Sequence, residues 1–562
     1  MDSSVPADQL PLQRLYHWER QAPQRITLSQ PVDGGRLQEF TWAQVADGAR
    51  RMAAHLRAQG WPPGSAVAIV SKNCAWWLLS DLAIWMAGHV SVPLYPTLAP
   101  ASIAQLLEHS GARACFIGKL DGWESLRTGI AANLPCIAYP LAPEDARLRY
   151  DGWDAICART PPLASEPVRD AGELATLMYT SGTTGQPKGV MHSFATLTWA
   201  AHAGNQRLAL QAEDRMLSYL PLAHMTERLL VEHGWLIAGM HLFFAESLQT
   251  FAADLRRARP TVFFSVPRLW VKFQQNIHAR LAPRRLDRLL GTPLLGRLLR
   301  RRILHTMGLD RCRIAAGGAA PMPLALLAWY RGLGLPIAEG YGMTEVGISH
   351  TTLPGRNQEG SVGPALEGVR TRVDAQTSEL LLHSPALMLG YYKEPQLTQA
   401  AFTEDGWLRT GDQASEDASG CLRITGRVKD QFKTSKGKYV VPAPIEDRLA
   451  MHPAVEACLV TGANLARPLG LVMLSPEALA RAGDARHRPQ LLASLAQHLD
   501  ELNSRLDPHE RLDRLVLLQT PWTVDNGLVT PTFKLKRQSI EARYAPQLAQ
   551  WATAREPVLF GD

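Results

Sequence analysis

The stretch Tyr179-Thr180-Ser181-Gly182-Thr183-Thr184-Gly185-Gln186-Pro187-Lys188-Gly189 follows the strand-like run Leu174-Ala175-Thr176-Leu177-Met178. Its three glycines let backbone amides approach phosphate oxygens, four Ser/Thr hydroxyls add neutral donors, and Lys188 adds a fixed positive charge. The ligand chemistry this implies is a polyphosphate. The stretch is not a G-x-x-x-x-G-K-[ST] loop, because Lys188 lies between Pro187 and Gly189. A flexible Ser/Thr/Gly linker shares its composition, but a linker has no reason to end in Pro-Lys-Gly between a strand and an apolar helix.

Working outward, periodicity predicts a helix over Phe40 to Gln59, a strand over Ala66 to Ser71 and an apolar helix over Trp76 to Gly88. Strand-like runs recur at Arg215 to Tyr219, Leu242 to Ala245 and Thr261 to Ser265. This alternation predicts layered α/β sheets. Beyond Ser361 helical periods give way to short strands at Thr371 to Val373, Glu379 to His383 and Leu422 to Thr425, which predict a small β subdomain. After Gly426-Arg427-Val428-Lys429-Asp430 come Tyr439 to Val441, a helix over Pro444 to Met451 and a strand over Ala457 to Thr461. The expectation is therefore a large multi-layer domain over residues 1–429 and a small α+β domain over 430–562, hinged at Asp430.

At 562 residues the chain exceeds one hydrophobic core, and 46% apolar with 20% charged residues is ordinary for a globular protein. Seven scattered cysteines without C-x-x-C spacing argue against zinc and fit a reducing cytoplasm. No basic segment followed by an apolar run opens the sequence, so no secretory signal is expected. The most apolar run, Leu82 to Tyr95, is about 14 residues and is interrupted by His89 and Pro93, too short to span a bilayer. The net charge of +7 admits nucleic acid, an anionic membrane or a polyphosphate substrate, and composition alone does not choose.

Further segments carry chemistry. Tyr219-Leu220-Pro221-Leu222-Ala223-His224-Met225-Thr226-Glu227-Arg228 contains a lone histidine among apolar residues, which by itself reads as a satisfied core histidine. In Ala338-Glu339-Gly340-Tyr341-Gly342-Met343-Thr344-Glu345 two glycines flank an aromatic ring, and a hydroxyl and a carboxylate follow; a Gly-rich turn would not require that Thr-Glu pair. The remaining segments are Gly317-Gly318-Ala319-Ala320-Pro321, Trp407-Leu408-Arg409-Thr410-Gly411-Asp412, the stretch Gly426 to Val440, and Val529-Thr530-Pro531-Thr532-Phe533-Lys534-Leu535-Lys536-Arg537.

In this order and spacing the segments resemble the adenylate-forming superfamily of acyl-CoA synthetases, adenylation domains and luciferases. The Pro-Leu-Ala-His and Thr-Pro-Thr-x-Lys-x-Lys-Arg wording resembles the long-chain fatty acyl-CoA synthetases. The resemblance implies ATP, Mg2+ and coenzyme A, with Thr180, Ser181, Gly182, Thr183, Thr184, Gly185 and Lys188 at the phosphates. Gly318, Ala319, Ala320, Glu339, Gly340, Tyr341 and Gly342 would form the adenine slot, with Tyr341 stacked on the base. Relatives commonly carry serine where this chain has Gly317. Asp412 would accept from the ribose hydroxyls, Arg427 would reach ribose or phosphate, and Glu345 would help hold magnesium. Lys534, Thr344 and His224 would stand at the reacting carboxylate, His224 as a wall of its pocket. The loop Ser435, Lys436, Gly437 and Lys438 would face coenzyme A once the mobile small domain turns about Asp430.

The implied activity converts a fatty acid to acyl-AMP and then to acyl-CoA. The partners expected are a fatty acid and coenzyme A, not nucleic acid. Two alternatives share the sequence: a fatty acyl-AMP ligase serving an acyl carrier protein, and a non-catalytic membrane-surface scaffold. Between Arg280 and Arg313 ten arginines face two aspartates, Asp287 and Asp310, interleaved with leucine pairs. At helical spacing this predicts a leucine face and an arginine face. Such a helix lies at the inner face of an anionic membrane, or else packs its leucines on the body with its arginines solvated.

Overall fold

The computed structural model describes residues 5–32, 34–181, 187–353, 360–524, 526–530 and 534–561. The phosphate-stretch residues Gly182, Thr183, Thr184, Gly185 and Gln186, and Pro531 to Phe533 beside Lys534, lie outside the described residues. The chain divides into two compact units, residues 1–370 with 383–408, and residues 371–382 with 409–562.

The first unit is built on three sheets. The largest has eight strands in the order Gly390–Tyr391, Pro187–Ser193, Leu174–Ser181, Val90–Leu94, Ala66–Val70, Ala114–Ile117, Cys136–Ala138 and Asp151–Gly152. Its strands from Leu174–Ser181 onward run parallel, and the first two pairings are antiparallel. Ala66–Val70 and Val90–Leu94 are buried at every position, as their unbroken apolar runs require of inner parallel strands. A second sheet orders Arg215–Ser218, His241–Phe244, Ile26–Val32 and Arg36–Thr41. The third joins Val262–Ser265, Ile314–Gly317 and Ile337–Met343 in parallel, then Gly347–Thr351 antiparallel.

Two helices show how the sequence sets burial. Trp42–Ala58 starts at Thr41, whose hydroxyl accepts from the Gln44 amide while the Gln44 side chain accepts from the Thr41 amide. Ala75–Met86 is apolar all round apart from Ser80 and Asp81, and all its residues are buried. A Cβ on Gly48 of the first would come 3.2 Å from Leu79 of the second, so the two pack closely.

In the second unit, Leu408–Glu416 pairs antiparallel with Cys421–Arg427, with Glu379–His383 and Arg370–Val373 beyond it in the same sheet. A further sheet orders Val455–Thr461, Leu469–Leu474, Leu515–Leu518 and Val558–Phe560. Helices Ala443–Leu449, Arg488–Asn503 and Arg537–Thr553 cover it over a core that includes Leu449, Leu495, Leu517 and Ile540. The fold is thus mixed α/β, with a large multi-sheet N-terminal domain and a smaller C-terminal one.

Three local expectations are corrected. A strand, Pro187–Ser193, stands between the phosphate stretch and the helix Phe194–Leu208, because ladder bonds to Leu174–Ser181 outweigh the breaker signal of Pro-Lys-Gly. A short helix, Pro395–Ala401, lies beyond Ser361, where only strands are expected. The basic stretch does not form one continuous leucine face. It folds as Pro283–Leu290 and Pro293–Met307, burying Leu286, Gly296, Ile303 and Met307 while Leu294, Leu295 and Leu298 remain exposed.

Candidate active site

Thr180 and Lys188 are register partners in the antiparallel pair Leu174–Ser181 and Pro187–Ser193, so the described ends of the polyphosphate stretch lie on adjacent strands. The Lys188 ammonium lies 5.0 Å from the centroid of the Tyr391 ring. The Tyr391 hydroxyl donates to Glu345 Oε1 at 2.9 Å. Backbone bonds fix the same junction: the Tyr392 amide donates to the Gly189 carbonyl at 2.7 Å, and the Met388 amide to the Glu345 carbonyl at 2.8 Å. Lys188 and Glu345, 157 positions apart in sequence, are thus brought together by Tyr391, which sequence reasoning missed. Its signal was the aromatic doublet Tyr391-Tyr392 after Gly390. Burial, and then the Glu345 carboxylate, raise the Tyr391 phenol above its ordinary range, so it remains a donor.

Thr344 and Glu345 occupy the tight connection between Ile337–Met343 and Gly347–Thr351. A Cβ on Gly342 would come 2.2 Å from the Gly347 carbonyl oxygen, so only glycine permits this hairpin. His192, also missed in the sequence, donates from Nε2 to the Thr344 carbonyl at 2.7 Å, leaving Nδ1 to accept from the Thr196 hydroxyl at 3.0 Å. Burial holds this imidazole neutral, down to about 4.

Gly318, Ala319 and Ala320 follow the carboxyl end of Ile314–Gly317, where open α/β sheets bind ligands. A Cβ on Gly318 would sit 3.1 Å from the Gly340 carbonyl oxygen, so the two expected adenine segments adjoin. Ala319 holds φ +69°, unusual for a residue with a side chain, and is exposed with Ala320. At Gly317 a Cβ would meet Met322 Sδ at 3.2 Å, which accounts for glycine where relatives carry serine. Tyr341 is half-buried, its ring edge-on to His350 at 6.3 Å, and Glu339 is buried.

His224 is half-buried at the start of a helical run, its Nδ1 accepting from the Thr226 amide at 3.3 Å. The run continues as a π-helix over Arg228–His233, a form found disproportionately at functional sites. Two adjacent residues pin its start. Glu227 Oε1 accepts from Ser218 at 2.9 Å, Asn73 at 3.0 Å and the Tyr219 amide at 3.1 Å, while Asn73 Oδ1 accepts from the Leu222 amide. Burial nevertheless pushes the Glu227 carboxyl up to about 8. Arg228, wholly buried, pairs with Asp81 and, at 3.2 Å, with Glu232, under the rings of Trp77 and Trp85. Burial raises the Glu232 carboxyl well above its ordinary range, so one proton offsets the second acid.

In the second unit Asp412 and Arg427 are register partners, with Arg427 Nε 3.0 Å from Asp412 Oδ1. Asp430 lies 3.4 Å from Arg537, which also pairs with Glu446 and donates to the Val460 carbonyl at 2.8 Å. Lys534 is exposed; beside it Val529 bridges Leu535, and the Thr530 amide donates to the Lys534 carbonyl at 2.8 Å. Of the basic trio closing the segment, Arg537 is a half-buried anchor paired with Asp430 and Glu446, and Lys534 is exposed. Ser435, Lys436, Gly437 and Lys438 form an exposed turn between Phe432–Lys433 and Tyr439–Val440, with Gly437 at φ +76°.

The family described as AMP-binding enzyme matches residues 15–392, and its C-terminal domain matches residues 429–556. A long-chain-fatty-acid–CoA ligase, FadD15, of Mycobacterium bovis is 29% identical over 95% of both chains. A putative fatty-acid–CoA ligase, fadD11, of Mycobacterium tuberculosis is 32% identical over 69% of this chain and 75% of its own. Among solved structures, the A domain of carboxylic acid reductase from Segniliparus rugosus, in complex with AMP and a co-purified carboxylic acid, superposes with a TM-score of 0.80. That match is 23% identical and covers 96% of this chain and 94% of that one. The strand pair at Lys188, the Thr-Glu turn and the paired domains thus belong to one scaffold, and the chain is a member of the adenylate-forming AMP-binding enzyme family.

Proposed function

We propose that the protein is a fatty-acid–CoA ligase acting on long-chain acids. The observation that carries this reading is the convergence of Lys188, Tyr391 and Glu345 beside Thr344. A cation and a carboxylate joined through one tyrosine suit a site for phosphate and its counter-ion. The naming of FadD15, similar over 95% of both chains, supports fatty acid and coenzyme A as co-substrates.

In the first step a carboxylate oxygen of the acid attacks the α-phosphorus of ATP, the bond to the β-phosphate bridge breaks, and pyrophosphate leaves. Lys188 neutralises the departing pyrophosphate, and Thr344, held through its carbonyl by His192, orients the attacking carboxylate. Lys534 bridges carboxylate and α-phosphate oxygens as charge develops. Asp412 and Arg427 hold the ribose, Tyr341 the base, and His224 walls the acyl pocket. Among the described residues no group of three metal-ligating side chains exists. Glu345 would hold Mg2+, an ion that needs few protein carboxylates, and the ion would supply charge screening for the substrate phosphates. In the second step the coenzyme A sulfur attacks the acyl carbonyl and AMP leaves. For this the domain 430–562 turns about Asp430 and brings Ser435 to Lys438 to the pantetheine.

Among the described residues no helix is long and apolar enough to cross a membrane. A cytoplasmic enzyme peripheral to a membrane face suits an acid that partitions into lipid. The test is fatty-acid-dependent exchange of labelled pyrophosphate into ATP, in the wild type and in Lys534→Ala. Exchange that falls by roughly two to three orders of magnitude in the variant, while supplied acyl-adenylate still forms thioester, supports the assignment. Loss of both half-reactions in Lys534→Ala contradicts it.

A further inference from the structure

The helices Pro283–Leu290 and Pro293–Met307 form a tight hairpin turned at Gly291 and Thr292. A Cβ on Gly296 would come 2.4 Å from the Leu290 carbonyl oxygen, so the helices are in close contact and have little freedom to repack. On this well-packed element Leu294 is 81% exposed, Leu298 64% and Leu295 59%. Leucines in adjacent turns thus leave more than half of their surface in solvent, which is unusual for an element with its own core contacts.

The charge beside them is equally unspent. Arg300 donates to the Gly332 and Leu290 carbonyls, and Arg313 pairs with Asp214. The other eight arginines between 280 and 313 are exposed and have no ion pair among the described residues. Of the two acids there, Asp310 is engaged by Arg259 at 2.5 Å. Leu294, Leu298, Arg301 and His305 recur at i, i+4, i+7 and i+11, so one face of Pro293–Met307 carries leucines at its N-terminal end, with Arg301 and the His305 imidazole behind them.

The geometry points to this hairpin as a docking surface for an anionic lipid bilayer, with Leu294, Leu295 and Leu298 entering the acyl boundary and the arginines meeting lipid phosphates. A nucleic acid would leave the leucines in water, and a second copy of the chain would set this cationic face against its like. The surface deepens the fatty-acid reading, because it places the enzyme where such acids dissolve. Its test requires no turnover, so the two readings fail separately.

The full-length protein is floated with vesicles of phosphatidylcholine alone, and with phosphatidylglycerol added as a minority lipid. Binding is expected only to the anionic vesicles, and salt at about 0.5 M should release it as screening shortens the reach of each charge. Arg288→Gln/Arg297→Gln/Arg301→Gln/Arg302→Gln should weaken binding by roughly two to three orders of magnitude, at about fivefold per arginine. Leu294→Ser/Leu295→Ser/Leu298→Ser should weaken it without changing its salt dependence, and activity on a water-soluble short acid should be unchanged. No flotation with anionic vesicles at low salt overturns the proposal, as does binding that survives both sets of changes. Oligonucleotide binding or self-association removed by these changes, without any vesicle binding, overturns it as well.

Discussion

Arg228 and the arginines between 280 and 313 carry the same guanidinium, and the fold uses them oppositely. Arg228 has no exposed surface, is paired with two carboxylates, and lies against two tryptophan rings. The arginines of the helical hairpin are solvated and mostly unpaired. A buried charge held between two carboxylates and two rings has few acceptable geometries, so it helps fix the π-helical run behind Pro221–His224. An exposed unpaired charge fixes nothing inside the protein and is available to a partner. Residue type alone therefore does not state function; burial and pairing do.

The largest effect should come from breaking the buried side of that contrast. Arg228→Met leaves Asp81 and Glu232 without their cation and should lower stability by roughly 3–5 kcal/mol in thermal or denaturant unfolding. The triple change Arg228→Met/Asp81→Leu/Glu232→Leu, which removes every charge, should recover much of that loss. Unfolding of the triple variant as early as the single one would show that the cluster acts by something other than charge.

Glu227 sharpens the same comparison through pH. Its carboxyl titrates at about 8, against 4.5 for an unperturbed glutamate, so the folded chain holds this proton more tightly than the unfolded chain. Its contribution is then full below about 4.5 and is lost as pH rises through about 8, by an amount on the order of a few kcal/mol. Glu227→Gln, which mimics the protonated acid, should flatten that alkaline decline in melting temperature. An unchanged decline would place its origin in another group.

A smaller effect is expected at His192. His192→Phe removes the donor to the Thr344 carbonyl and should cost about 1–3 kcal/mol, with adenylation slowed more than the KM for the acid is raised. His192→Gln keeps a donor and should restore part of the rate. The smallest effect belongs to the exposed arginines: Arg301→Gln/Arg302→Gln should shift stability by no more than about 0.5 kcal/mol.

Much of the fold was legible because it rests on local signals. The unbroken apolar run of Ala66–Val70 and the all-round apolar helix Ala75–Met86 each state their environment in consecutive residues, whereas the helix expected from Phe40 begins at Trp42, behind a strand that ends at Thr41. Pairings across long separations were not legible: Asp81 with Arg228, Asn73 with Glu227, Lys188 with Tyr391, and Asp430 with Arg537 have no short-range signature. Helical spacing left open whether the leucines of the basic stretch meet the core or solvent; Gly291 and Thr292 break the stretch into two helices, with Leu286 buried and Leu294, Leu295 and Leu298 exposed.

The account's central claim is ATP-driven joining of a long-chain acid to coenzyme A. It is tested most directly by supplying ATP, Mg2+ and linear acids from short to long, with and without coenzyme A, and identifying every product by mass. The account predicts acyl-CoA, AMP and pyrophosphate in equal amounts, peaking at long chains and requiring the thiol. Acyl-AMP that accumulates without thioester in the presence of coenzyme A, or the absence of turnover with every acid, would contradict it.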